Sequence, residues 1–231
     1  MTAADDPDVE GGQILSDPVG HGRQLSDFGR IDIYLFDQLL RGRITPAMRV
    51  LDAGCGGGRN AEYLLRAGCE IHGVDGSPEA VGRVREMAST ILPSGEAEAH
   101  FQVARLQALP FPDAHFGAVI CNAVLHFSDD EEDFAAITAE LWRVLEPGGV
   151  FFSRLASTIG VEDRVVPLEG RWHRLPDGSD RFLVDEELLE GTAERLGAVQ
   201  LDPLKTTVVQ DMRSMTTWVL GKLGGENEVP S

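Results

Sequence analysis

The sequence of 231 residues predicts an α/β domain in which a mostly parallel sheet of seven strands carries helices on both faces. Three observations support this fold class. Short apolar runs alternate along the chain with segments of helical periodicity. A glycine-rich turn joins the first apolar run to a helical segment, as expected where a buried parallel strand enters a helix. Acidic or polar residues stand where several apolar runs end, which is the edge at which parallel sheets bind ligands.

The chain begins with residues 1–24, which are rich in Asp, Gly and Pro and lack periodicity. We expect this segment to be mobile or to form a loose lid. Ser26 or Asp27 is then predicted to cap a helix over residues 28–41. Tyr34 on this helix is a candidate for the substrate side of a site, with packing against the sheet as the alternative.

The glycine-rich turn follows the first predicted strand, a short apolar run over residues 48–51. Gly54, Gly56 and Gly58 permit a sharp turn and let the backbone approach a ligand closely. Residues 60–67 then have a helical pattern. The start of a helix presents unpaired N–H groups, which suit a carboxylate or a phosphate. The turn is therefore predicted to hold a ligand, with a turn that binds nothing as the alternative.

The second predicted strand, residues 70–75, ends in Asp75, which follows Gly54 by 21 positions. A carboxylate at the end of this strand can accept hydrogen bonds from both hydroxyls of a ribose. A dinucleotide site would also require glycine at position 59, where helix and strand must pack closely, and the chain has Arg59 there. This difference disfavours NAD or FAD as the ligand.

The turn also fits a longer pattern, acid-x-G-x-G-x-G, which begins at Asp52. In this pattern the chain resembles the class I S-adenosylmethionine-dependent methyltransferases, and the Gly-Arg-Asn sequence at 58–60 resembles their tellurite-resistance branch. The resemblance implies a Rossmann-like class I methyltransferase fold, S-adenosylmethionine as cofactor and S-adenosylhomocysteine as product. It also implies a set of cofactor-binding residues, which are Asp52, Gly54, Cys55, Gly56, Asp75, Gly76, Arg105, Leu106 and Asn122.

The resemblance covers about residues 48–156 and includes two departures. Arg105 stands where the family has an acid that accepts from the adenine amino group. The adenine contact would then fall to Leu106 and to backbone groups, while Arg105 stacks on the ring or pairs with the acid of the second strand. Gly117 stands where the family commonly has Asp. The segment 145–149, Leu-Glu-Pro-Gly-Gly, resembles the turn that precedes the fifth strand of the family.

The fourth predicted strand, residues 116–122, ends in Asn122 at the same edge as the glycine turn. His126 follows this strand and is the candidate catalytic residue. The pKa of an unperturbed histidine, about 6.5, suits removal of a proton at neutral pH. The alternative is that His126 only packs in a loop.

A predicted insertion, residues 157–184, contains a turn sequence between two strand-like runs and is expected to form a hairpin on the substrate side. Arg154, Arg171 and His173 are candidates to hold a carboxylate or phosphate of the acceptor. The alternative is that each of them pairs with one of the many acids of the chain.

A single domain is predicted over residues 25–223. Its last helix is expected over 185–196, between Asp and Gly caps, and its last two strands around 199–209 and 215–220. Residues 224–231 are polar, and we expect them to fray.

The formal net charge of -18 disfavours nucleic acid and anionic membranes as partners, because both attract positive surfaces. No apolar run approaches the length of a membrane span, so no membrane partner is expected. The three cysteines form no C-x-x-C pair, which predicts neither disulfides nor a metal site and favours the cytoplasm. The sequence carries no signal for an oligomeric state.

These observations lead to one leading function and one alternative. The leading function is transfer of a methyl group from S-adenosylmethionine to a small-molecule acceptor by in-line displacement. The alternative is a non-catalytic protein that binds S-adenosylmethionine for regulation, which the departures at Arg105 and Gly117 motivate. A nicotinamide-dependent oxidoreductase is disfavoured by Arg59 and by the downstream motifs.

Overall fold

The computed structural model describes residues 28–224 of the chain. The segment 1–24, the proposed caps Ser26 and Asp27, and all of the expected frayed tail except Gly224 lie outside the described residues. The strands are β1 (Arg49–Ala53), β2 (Glu70–Asp75), β3 (Phe101–Val103), β4 (Phe116–Asn122), β5 (Leu145–Ala156), β6 (Val166–Pro167), β7 (Trp172–Arg174), β8 (Asp180–Phe182), β9 (Ala198–Gln200), β10 (Lys205–Val209) and β11 (Arg213–Lys222).

The main sheet has seven strand positions in the order β10-β11-β5-β4-β1-β2-β3, and β9 pairs with β11 beside β10. The pairs among β1 to β5 are parallel, whereas β11 runs antiparallel to its neighbours. This confirms the predicted seven-stranded, mostly parallel sheet. The chain order reverses between β1 and β4, so the carboxyl ends of these two strands flank the place where α/β sheets bind ligands.

Helices cover both faces of the sheet, as predicted. They are α1 (Ile33–Leu40), α2 (Ala61–Arg66), α3 (Pro78–Ala88), α4 (Ala97–His100), α5 (Glu131–Val144) and α6 (Glu186–Leu196), with a 3-10 turn over Leu125–Phe127. Neighbouring strand residues point to opposite faces, so Val50 packs with the helices α1 to α3 and Leu51 packs with α5 and α6. No helix between residues 28 and 224 is long and apolar enough to cross a membrane.

Two predicted elements are corrected by the structure. The first helix begins at Ile33 and not at residue 28, because the side chain of Asp32 caps it by accepting the N–H of Tyr34 at 3.0 Å. The strand expected around 199–209 is divided into β9 and β10, which pair in succession with the same edge of β11. Pro203 lies in the gap, where it lacks the N–H that a continuous ladder would require.

The expected insertion at 157–184 folds as a small antiparallel sheet of three strands in the order β6-β7-β8. The turn sequence at 176–179 joins β7 to β8, so the predicted hairpin is confirmed, and β6 adds a third strand to it. The isolated bridge between Ser157 and Val184 ties the insertion to the end of β5. The insertion is thereby held beside the carboxyl edge of the main sheet.

Candidate active site

The glycine turn after β1 is held by backbone hydrogen bonds to the end of β2. The N–H groups of Gly54 and Cys55 both donate to the carbonyl oxygen of Val74, at 2.8 and 3.0 Å. Gly54, Gly56 and Gly58 all have positive φ angles. A Cβ atom on Gly54 would collide with Val124, so this position needs glycine for two reasons, the backbone conformation and the close approach of the segment after β4.

Asp75 is joined to the glycine turn through its carboxylate. Oδ2 accepts the N–H of Gly56 at 2.9 Å, and Oδ1 accepts the N–H of Ser77 at 2.8 Å. A carboxylate has about four acceptor positions, so each oxygen can accept one more hydrogen bond. The structure thus fixes the orientation of Asp75 and leaves it able to bind two hydroxyl groups.

Asp52 and Asn122 are buried polar side chains at the carboxyl ends of β1 and β4, with 2% and 7% of their surface exposed. Oδ2 of Asp52 and both side-chain polar atoms of Asn122 have no hydrogen-bond partner among the described residues. Burial raises the pKa of Asp52 to about 7, while the nearby Arg59 opposes this rise and Asp75 adds to it. Unpaired polar groups in such a position are costly, and a polar ligand would satisfy them.

A network that sequence reasoning missed is centred on Asp32, which is 6% exposed. Its Oδ2 lies 3.2 Å from Arg154 on β5 and 3.6 Å from Arg59 in the glycine turn. Its backbone N–H donates to Oδ1 of Asn60 at 3.1 Å. The start of α1 is thus attached to both the glycine turn and β5. An acid just before the first apolar residue of the helix was the available signal.

A cleft of about 600 Å³ opens beside this network, between the carboxyl edge of the sheet and the insertion. That size suits a small molecule. Ala123 contributes to the cleft and has a φ of 61°, a backbone conformation that is unusual for alanine and marks a constrained segment. The lining residues are Arg59, Ala123, His126, Arg154, Ala156, Leu175, Asp177, Ser179, Arg181, Val209, Gln210, Met212, Arg213 and Met215.

His126 lines the cleft but is 7% exposed, and its Nδ1 accepts the backbone N–H of Ala156 at 3.3 Å. Burial, followed by the nearby Arg181, lowers the pKa of His126 to about 4. Neutral His126 therefore carries its proton on Nε2, because Nδ1 is the acceptor. In this state the ring offers a hydrogen-bond donor and lacks a free lone pair for proton removal.

A second, smaller cavity of about 240 Å³ lies on the other side of the segment after β4. It is lined by the predicted cofactor residues Gly76, Arg105 and Leu106, together with Val124 and the half-exposed Phe127. Its walls are partly apolar. Arg105 forms no ion pair with any described residue. The pairing with Asp75 that the sequence offered as one alternative for Arg105 is therefore absent from the described residues.

The candidate substrate-side residues fall into two groups. Arg154 lies in the cleft, and Tyr34 lies next to it, with its ring 5.1 Å below the guanidinium of Arg154. Tyr34 also bonds Thr207 through its hydroxyl at 2.6 Å, which joins α1 to β10. Arg171 and His173 are not among the cleft-lining residues.

Arg171 is turned away from the cleft because it forms ion pairs with Glu131 and Asp185, at 2.8 and 2.7 Å. The Nδ1–H of His173 donates to the carbonyl oxygen of Arg171 at 2.9 Å. Two other arginines line the cleft, Arg181 from β8 of the insertion and Arg213 from the start of β11. The assignment of Arg171 and His173 to the substrate side stays a prediction, and the structure places both residues outside the lining of this cleft.

Comparisons with known proteins agree with this architecture. The family described as methyltransferase domain matches residues 51–153, just under half of the chain. A malonyl-(acyl-carrier protein) O-methyltransferase from Enterobacter lignolyticus is 30% identical over 169 residues, which are 72% of this chain and 61% of that protein. The chain thus spans about half to three fifths of the length of the curated relatives it matches.

Two solved structures share the fold at low sequence identity. Magnesium protoporphyrin IX methyltransferase from Synechocystis PCC 6803, with bound S-adenosylhomocysteine, matches with a TM-score of 0.63 at 19% identity, covering 87% of this chain and 81% of that one. The cyclase SpnF also matches with a TM-score of 0.63 at 20% identity, covering 83% of this chain and 82% of that one. Residues 51–153 thus match the methyltransferase-domain family, and the solved structures share the Rossmann-like fold of this chain.

Proposed function

We propose that this chain transfers a methyl group from S-adenosylmethionine to a small-molecule acceptor by in-line displacement. The observation that supports this most strongly is the cradle at the carboxyl ends of β1, β2 and β4. There a glycine turn is bonded to the carboxylate of Asp75, and the buried atoms of Asp52 and Asn122 have no partner among the described residues.

The residues of this cradle fit the cofactor group by group. Asp75 has two acceptor positions left for the ribose hydroxyls. The partly apolar cavity at Leu106 and Arg105 suits the adenine ring. Asp52 and Asn122 suit the methionine end, because a carboxylate and an amide can accept from its ammonium group. The acceptor would then enter through the cleft of about 600 Å³, which adjoins the same strand ends at Ala123.

Bound S-adenosylmethionine supplies a methyl group on a sulfonium, which is a good leaving group, so the residues of this chain chiefly hold and orient the acceptor. Arg154 and Arg181 present fixed hydrogen-bond donors to the cleft. His126 donates from Nε2 and stays neutral at neutral pH. We therefore assign His126 to acceptor positioning in place of the proton removal that was first expected of it. An acceptor that is already deprotonated needs no base.

The alternative is a protein of the same fold that binds S-adenosylmethionine without transferring its methyl group. Arg105 and Gly117 depart from the family pattern, and a cyclase such as SpnF has the same fold, which illustrates that fold does not determine chemistry. The same cradle would then serve binding alone.

A transfer assay separates the two functions. The protein is incubated with methyl-labelled S-adenosylmethionine and a panel of small carboxylic acids, phenols and amines, and release of S-adenosylhomocysteine is measured. We expect acceptor-dependent release that Asp75→Ala abolishes. The exposed Asp113, at the opposite edge of the sheet, provides the control variant Asp113→Ala, which should keep full activity. Binding of the cofactor with no release for any acceptor would favour the binding function.

A further inference from the structure

The cleft that contains Arg154 has a charge that contrasts with the rest of the molecule. The chain has a formal net charge of -18, yet the described residues that line the cleft include four arginines and one carboxylate, that of Asp177. These arginines are Arg59, Arg154, Arg181 and Arg213. A cleft lined by charge of one sign raises the local concentration of the opposite ion. The interior of this cleft therefore attracts anions, although the molecule as a whole repels them.

Three of the four arginines already have a carboxylate partner. Arg59 and Arg154 share Asp32, and Arg213 lies 3.3 Å from Asp177. One carboxylate between two guanidinium groups leaves their charge only partly balanced. Nε of Arg154 is buried and has no hydrogen-bond partner among the described residues. Arg154 therefore keeps a donor that its own surroundings do not satisfy.

Arg181 on β8 has no carboxylate within ion-pair distance among residues 28–224, although it lies near enough to Asp177 and Asp180 to help lower the pKa of both. One of its nitrogens donates to the carbonyl oxygen of Asp180 at 2.6 Å, and its guanidinium lies 4.9 Å from the ring centre of Phe127. The ring attracts the guanidinium to its face, and the nitrogens that do not bond Asp180 remain donors for a ligand. Guanidinium donors match the oxygens of a carboxylate or a phosphate.

Apolar side chains also line the cleft. Leu175, Met212 and Met215 are among them, and methionine side chains adapt to ligands of different shape. A ligand that consisted only of a small anion would leave these side chains exposed to water. A cleft of about 600 Å³ lined by both charged and apolar side chains instead fits an anionic group attached to an apolar body.

We infer that the methyl acceptor is an amphipathic anion, whose carboxylate or phosphate is held by Arg181 together with Arg154 and whose apolar part lies against Leu175 and the two methionines. This inference rests on the proposed function, and it replaces the predicted Arg171 and His173 with Arg181 as the group on the insertion that recognises the acceptor. His126, which adjoins Arg181, would donate a further hydrogen bond to the same anion.

Calorimetric titration of the protein saturated with S-adenosylhomocysteine tests the inference with pairs of matched probes. Benzoate and phenyl phosphate carry the charge, and benzamide is the neutral counterpart. We expect one anion to bind roughly 10- to 100-fold more tightly than benzamide, the range for hydrogen bonds to a charged group. The tighter of the two anions identifies the charged group as carboxylate or phosphate. Added salt should reduce the difference.

Variants then test the assignment to Arg181. Arg181→Met should lower the preference for the anion over benzamide to about one, whereas Arg66→Met removes the same charge from an exposed position on α2 and should leave the preference unchanged. Cofactor binding by the same samples reports whether Arg181→Met is folded.

Three results would overturn the inference. They are equal binding of anion and amide by the unmodified protein, a full preference in the folded Arg181→Met variant, and no binding of either anion at about 10 mM. The comparison of anion and benzamide uses the unmodified protein, so it tests the inference even if Arg181→Met does not fold. Cofactor binding without a preference for anions would refute the inference alone, whereas failure to bind S-adenosylhomocysteine would refute the proposed function.

Discussion

Asp52 gives the most direct link between the structure of the cradle and a measurable property. Its carboxyl group is 2% exposed and its pKa is raised to about 7, so in the free protein it is half protonated near neutral pH. S-adenosylmethionine brings a sulfonium and an ammonium group, and both favour the ionised carboxylate. We expect cofactor binding to select the ionised form of Asp52 and to release its proton.

The size of the effect follows from the pKa. At pH 6 about a tenth of the molecules have an ionised Asp52, and at pH 8 nearly all of them do. The affinity is proportional to the fraction of molecules in which Asp52 is ionised, so the dissociation constant of S-adenosylmethionine should decrease about tenfold from pH 6 to pH 8. Calorimetric titration across this range, in buffers of different ionisation enthalpy, measures both the affinity and the proton released.

Comparison with Asp52→Asn isolates the effect of Asp52, because every other titrating group is the same in the two proteins. The variant should bind more weakly at pH 8 and lack the part of the pH dependence that belongs to Asp52. The folding stability of the free protein should change in the opposite direction from the affinity. Because the pKa of Asp52 is raised by folding, the free energy of unfolding decreases as the pH rises from 3.8 through about 7. Asp52→Asn should therefore stabilise the free protein by up to about 4 kcal/mol at pH 8. Equal pH dependence of the affinity in the two proteins would refute this reasoning.

Three further predictions concern Asp75, His126 and Gly54. Asp75→Ala should weaken binding of S-adenosylmethionine by roughly 1.5–3 kcal/mol in calorimetry, because it removes a charged acceptor, and unchanged affinity in a folded variant would exclude Asp75 from the site. His126 has a pKa lowered to about 4, so its contribution to stability is complete above pH 6.5 and is lost as the pH falls towards 4. Urea unfolding at pH 7 and pH 4.5 should show that His126→Gln loses less stability on acidification than the unmodified protein, by up to about 3 kcal/mol, and an equal loss would contradict the burial of a neutral ring. Gly54→Ala should be more destabilising than Gly42→Ala by about 1–3 kcal/mol, because both positions have similar positive φ angles but only Gly54 lacks room for a Cβ beside Val124. Equal destabilisation by the two alanines, measured by thermal unfolding, would mean that the segment after β4 moves freely.

The sequence allowed the position of the glycine turn and of Asp75 to be predicted because the determinants of this arrangement are local. The glycine turn and Asp75 lie at the ends of neighbouring strands, and the alternation of strands and helices brings such ends to one edge. The hydrogen bond between Asp75 and Gly56 was not foreseen, although the two residues were assigned to the same site. Pro203 was a local signal from which the division of the predicted strand at 199–209 could have been foreseen.

The cleft that we propose for the acceptor depends on contacts between distant parts of the chain, and its lining residues were harder to predict. Asp32 meets Arg154 across 122 positions, and no spacing or motif connects the two residues. In the insertion, the sequence indicated arginines but did not determine which of them would face the sheet. Arg171 forms an ion pair with Glu131, a residue on α5, whereas the acidic neighbours of Arg181 are Asp177 and Asp180 in its own hairpin, and neither forms an ion pair with it. The packing of the insertion against the sheet decides between these two arginines.

The central claim is that the cradle around Gly56 and Asp75 binds S-adenosylmethionine. Calorimetric titration of the purified protein with S-adenosylmethionine, and separately with NADH, tests this claim most directly. We predict saturable binding of one S-adenosylmethionine per chain and no binding of NADH. Binding of NADH, or no heat from S-adenosylmethionine up to about 1 mM, would contradict the assignment of this cradle to a methyl donor.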